Sequence, residues 1–147
     1  MKNISRFLFI FAGSKSNFFS MKNIFLFLFL SSFSVLSAQS NVTIPNIQGS
    51  GNSSSYSGQQ VATSGIVTAV YIGGGMINGF FIQDAAGDGN SATSDGVFVY
   101  SSSKSVAPGD LVQLTARVSE YNNRTQLSDV TAFQALSKNN TLPAVKI

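Results

Sequence analysis

The chain has 147 residues, with 9 Lys and Arg against 6 Asp and Glu, no Cys and no His. Lacking those two residue types, it can build no disulfide, thiol nucleophile, imidazole base or Cys/His zinc site. The basic balance is local: residues 1–38 carry Lys2, Arg6, Lys15 and Lys22 with no acid, whereas the remainder sets five cations against six acids, a net charge of −1.

The first element is a leader, residues 1–38. Met21 opens a secretory pattern: Lys22 as the positive n-region, an apolar run from Ile24 to Leu30 that continues through Phe33 and Val35, then the small residues Ser37 and Ala38. Cleavage is expected between Ala38 and Gln39. The run is short and serine-interrupted, against the roughly 20 apolar residues of a spanning helix, so no membrane span is expected after cleavage. Met1-Lys2-Asn3-Ile4 is repeated at Met21-Lys22-Asn23-Ile24, and Met21 is read as the true start. The body is expected to be secreted, with a periplasmic or cell-surface position as the other outcomes of export.

Residues 39–60 are polar and punctuated by Pro45, Gly49, Gly51 and Gly58, which reads as an extended approach segment with Ile44 and Ile47 tucked against the domain. A barrel is expected over residues 61–137. Val61 to Tyr71 has strand character, and Gly65 within it suggests a bend or bulge. Phe80 to Asp84 and Val97 to Tyr100 form the next two strands around the loop Asp84 to Asp95. Alternation places Phe80, Ile82, Val97 and Val99 inside and leaves Phe81, Phe98 and Tyr100 as an exposed aromatic platform. A Pro108-Gly109-Asp110 turn precedes Leu111 to Ser119, where Val112, Leu114, Ala116 and Val118 face inward. Tyr121 to Arg124 is a turn, and Thr125 to Leu136 is a bulged fifth strand with Leu127, Val130 and Phe133 as core candidates. Five strands, a bent first one and no long helix predict an all-β, OB-type Greek-key barrel, with a two-sheet β-sandwich as the alternative. Residues 138–147, containing Leu142-Pro143, read as the start of a linker.

Two sites are suggested by residue chemistry. In the first, Phe81, Phe98 and Tyr100 stack bases while Lys104, Arg117 and Arg124 reach phosphates of a single-stranded nucleic acid. A net charge of −1 releases few counterions, so weak binding is expected. The alternative is a structural or protein-contact barrel without a nucleic-acid ligand. In the second, Asp84, Asp88, Asn90 and Asp95 offer oxygen donors of the kind calcium takes. Their spacing departs from the EF-hand loop, and Asp or Asn beside Gly commonly forms turns by bonding its own backbone.

Several segments in order carry a resemblance: Ile47-Gln48-Gly49, Ser64 to Thr68, Gly79-Phe80-Phe81-Ile82-Gln83-Asp84, Thr93 to Tyr100, Gly109-Asp110, Val118 to Tyr121 and Thr125-Gln126-Leu127. Together they resemble the YhcR-like OB-fold domain of secreted bacterial nucleases, over about Asn46 to Leu136. That resemblance implies an accessory domain preceding an endonuclease/exonuclease/phosphatase-type catalytic domain. Such a catalytic domain needs a His, which this chain lacks, so the expected product is non-catalytic, a truncated or split partner of a nuclease domain encoded elsewhere.

Overall fold

A computed structural model describes residues 41–144; the leader, its cleavage site and the last three residues lie outside the described residues. Five strands carry the architecture: β1 (Gln60–Tyr71), β2 (Gly79–Gln83), β3 (Gly96–Tyr100), β4 (Leu111–Tyr121) and β5 (Arg124–Ser137). They close into a barrel in the order β1-β2-β3-β5-β4, with β4 returning to β1. Closure removes the two-sheet sandwich from consideration. All pairings are antiparallel except β3 with β5, so the sheet is mixed.

β1 makes closure possible because it is long enough to serve two neighbours. Gln60 to Ile66 pairs with β4, and Ile66 to Tyr71 pairs with β2. The bend falls between Val67 and Ala69, where one extra residue is inserted against β2. It does not fall at Gly65, which is in register with Val112. Gly65 is small for another reason: a Cβ there would come within 2.9 Å of both the Gln83 carbonyl oxygen and the Ile44 side chain.

Alternation along the strands fills the interior. Phe80 and Ile82 from β2, Val97 and Val99 from β3, Val112, Leu114, Ala116 and Val118 from β4 and Leu127 from β5 are buried in one cluster, while Val130 and Phe133 pack at its margin. Full burial of an aliphatic or aromatic side chain contributes about 1.5–3 kcal/mol. The turn between β4 and β5 is two residues, Asn122 at φ 49° and Asn123 at φ 59°. Two successive left-handed residues match the twist of a hairpin, which is why asparagines occupy both positions. β5 carries the expected bulge: its register against β4 slips between Ser128 and Ala132, with Asp129 at φ 49°.

The approach segment differs from the extended run expected of it. It contains a one-turn helix, α1 (Ile44–Gln48), with Pro45 in the first turn, where a fixed φ suits the helix and a missing N–H costs nothing. Ile44 and Ile47, three residues apart, share one face and are fully buried against the barrel core. The segment is then bonded down. The Ser54 hydroxyl donates to the Ile47 carbonyl, the Ser54 amide donates to Glu120 at 2.9 Å, and Gly58 N donates to the Val118 carbonyl at 2.9 Å. Among the described residues no helix is long and apolar enough to cross a membrane.

Candidate functional site

The outer face of β2 and β3 follows from the inner one. With Phe80, Ile82, Val97 and Val99 turned inward, Phe81, Phe98 and Tyr100 project from the opposite face. Register places Phe81 directly across from Phe98, with ring centroids 5.0 Å apart and planes tilted by 54°. Tyr71, at the end of β1, meets Phe81 edge-on at 6.1 Å and 84°. Edge and tilted arrangements suit the aromatic quadrupole.

Phe98 departs from the exposed position expected for it: it is 5% exposed. The cause lies across the strand pair at Gly79, where a Cβ would collide with the Phe98 ring and with the Val99 carbonyl oxygen. The bare glycine is the hollow into which the ring lies. Phe98 is therefore the bed of the platform. Tyr100, 51% exposed, and the half-buried Phe81 are its accessible rings.

Two clefts open on this face. One, of about 560 Å³, lies among Ile77 from the β1–β2 connection, Phe98, Tyr100, Tyr121, Arg124 and Gln126. The other, of about 410 Å³, lies among Gln48, Asn52, Phe81, Phe98, Asn123 and Arg124. α1 shapes the second cleft, since the Gln48 side-chain amide donates to the Gly96 carbonyl at 2.5 Å and ties the helix end to β3. Tyr71, Ile77, Tyr121, Gln126 and the Gln48–Asn52 rim were missed in the sequence. Alternation with Thr125 and Leu127 buried would have sent Arg124 and Gln126 outward, but only the pairing of β3 with β5 brings them beside Phe98.

The three expected cations separate. Arg124 borders both clefts and has no carboxylate partner among the described residues. The nearby Glu120 carboxylate is engaged instead by the Ser54 amide and by the Thr125 hydroxyl, at 3.0 and 3.1 Å from its two oxygens. Arg117 does not join the face. Its Nε lies 3.6 Å from Asp129, which the β5 bulge delivers, and a guanidinium N–H donates to the Gly58 carbonyl at 2.8 Å. Lys104 is also elsewhere, its Nζ 5.5 Å from the centre of the Phe133 ring. Alternation marks Arg117 as outward but cannot say toward which side of a closed barrel, and Lys104 lies in the β3–β4 connection, where alternation does not apply.

In the Asp84–Asp95 loop most of the hydrogen bonds to side-chain oxygens come from the loop's own backbone amides, and Asp88 Oδ2 accepts from the Thr93 hydroxyl at 2.6 Å. Asp84 Oδ1 accepts from the amides of Ala86 and Gly87, each at 3.1 Å; Asp88 Oδ1 accepts from Asn90 N at 2.9 Å; Asn90 Oδ1 accepts from Ala92 N at 3.0 Å. Asp95, buried under Gly87, accepts from Asp88 N at 3.4 Å. Among the described residues no three Asp, Glu, His or Cys side chains converge on a point where a metal ion would sit. Asp84, Asp88 and Asn90 are thus arranged as turn formers, Asp95 reaches back across the loop to Asp88 N, and the 2.8 Å bond from Asp84 N to the Asp95 carbonyl closes the loop.

No protein-family model matches the chain, and no curated protein is similar to it in sequence.

Proposed function

We propose that the barrel is a non-catalytic module that binds single-stranded nucleic acid weakly, an exported accessory domain of a nuclease. The observation that carries this reading is the aromatic face of β2 and β3, lying between the β1–β2 connection and the β4–β5 hairpin, with Arg124 at the hairpin bordering both of its clefts. In five-stranded OB-type barrels, that face and those two connections are where oligonucleotides bind. The ring order β1-β2-β3-β5-β4 and the resemblance to the YhcR-like domain support the OB-type assignment. Export rests on the leader pattern, and the absence of His from the whole chain supports a non-enzymatic role.

Stacking of a base on an aromatic ring contributes about 1–3 kcal/mol. With Arg117 and Lys104 committed elsewhere, rings supply most of the affinity. Anisotropy of a labelled single-stranded oligonucleotide tests this: the purified chain binds at low salt, and Phe81→Ala with Tyr100→Ala loses most of that binding. A double variant that binds like the parent refutes the reading. The second reading, a barrel that contacts protein and no nucleic acid, draws on the exposed Ile77, Tyr100 and Tyr121 around the larger cleft. It predicts no oligonucleotide binding at any salt concentration. The purified chain is expected to leave DNA and RNA intact; cleavage by a clean preparation would overturn both readings.

A further inference from the structure

The two clefts have different linings but share two residues, Phe98 and Arg124. Resting on the nucleic-acid reading, we propose that the site takes a single-stranded dinucleotide step, one base in each cleft, with the phosphate that joins them at Arg124. That phosphate is the ligand's one ionic contact.

Each cleft, at about 560 and 410 Å³, falls in the range of small-ligand pockets, which run to several hundred Å³. Each also has the chemistry of a base site. In the first, Tyr100 and Tyr121 supply rings and Gln126 an amide. In the second, Phe81 supplies the ring while Asn52 and Asn123 supply polar groups suited to the donor and acceptor edge of an unpaired base. A duplex keeps its faces stacked and its pairing edges occupied, so it fits neither cleft. Arg124 stands where the clefts meet, and a cation between two base sites faces the linkage rather than a chain end. Neither Arg117 nor Lys104 lines either cleft, which leaves no further cation among the described residues there to follow a longer backbone.

One phosphate contact on a single strand gives a slope of about −0.7 in log K against log salt. The experiment is an NMR titration of the full chain with thymidine mono-, di- and decanucleotides between about 50 and 200 mM salt. The dinucleotide is expected to bind several-fold tighter than the mononucleotide. The decanucleotide gains nothing per site once its registers are counted, and the slope stays near −0.7. Arg124→Gln, at an exposed position, brings the slope to about zero with an unchanged amide fingerprint away from the hairpin. A slope of about −2 or steeper, a per-site affinity that climbs with length, a mononucleotide equal to the dinucleotide, or a slope that survives Arg124→Gln overturns this inference and leaves the nucleic-acid reading standing. No binding by any oligonucleotide overturns both.

Discussion

Thr63 lies on the inner side of β1, in register with Leu114, fully buried, and its hydroxyl has no hydrogen-bond partner among the described residues. Removing a hydroxyl from water without compensation costs about 1–3 kcal/mol by protein mutational data. Thr63→Val replaces that hydroxyl with a methyl of nearly the same volume, leaving neither cavity nor overpacking, and both residues favour strands. The variant should be more stable by about 1–2 kcal/mol. For a domain of about 100 residues each kcal/mol moves Tm by about 4–8 °C, so a rise of roughly 5–15 °C is expected. Urea denaturation separates this from a change in compactness: the midpoint should rise while m stays constant. Thr63→Ser is the counterpart, keeping the hydroxyl and losing a buried methyl, and should destabilise by about 1 kcal/mol. If Thr63→Val melts at or below the parent temperature with m unchanged, the hydroxyl has a partner in solution and the reasoning fails.

Ile47→Ala should cost about 2–5 kcal/mol, because a fully buried side chain at the base of α1 is removed; a loss under 1 kcal/mol in urea would mean that the helix does not plug the core. Gly79→Ala puts a Cβ where the Phe98 ring lies, and overpacking of this kind costs about 1–3 kcal/mol. Near-ultraviolet dichroism should change with it, and an unaltered aromatic signal would contradict the seating of Phe98. Asp84→Ala deletes the acceptor of two turn amides and should lower stability by about 1–2 kcal/mol equally in calcium and in chelator. A loss seen only with calcium present would favour the calcium reading of the loop.

Most of the barrel was legible because its cause is local. Period-two alternation over Leu111 to Ser119 and the apolar pairs Phe80/Ile82 and Val97/Val99 identify inward faces without reference to partners, and all are buried. α1 was not legible, because one helical turn is too short to show a period and sits among glycines and serines that otherwise signal loop. The burial of Phe98 was hidden for a different reason. Alternation gives the face of a residue but not what covers it, and the hollow at Gly79 exists only once β2 and β3 are in register. The partition of Arg124 from Arg117 and Lys104 depends on strand order around the ring and on a bulge in β5, both set by contacts distant in sequence.

The parallel seam between β3 and β5 is narrow, with two residue pairs in register, Phe98 with Gln126 and Val99 with Leu127. Strands that meet this briefly across a long stretch of chain are natural places for a barrel to breathe, since loop-closure entropy opposes them and few hydrogen bonds hold them. Tyr100 stands on one side of that seam and Arg124 and Gln126 on the other, all around one cleft. A ligand seated there acts as a clasp, stabilising the closed ring by RT ln(1 + [L]/Kd) and slowing amide exchange along β3 and the start of β5 more than elsewhere. Occupancy and closure of the barrel would then be one equilibrium, so that even a weakly bound ligand would register as a change in rigidity.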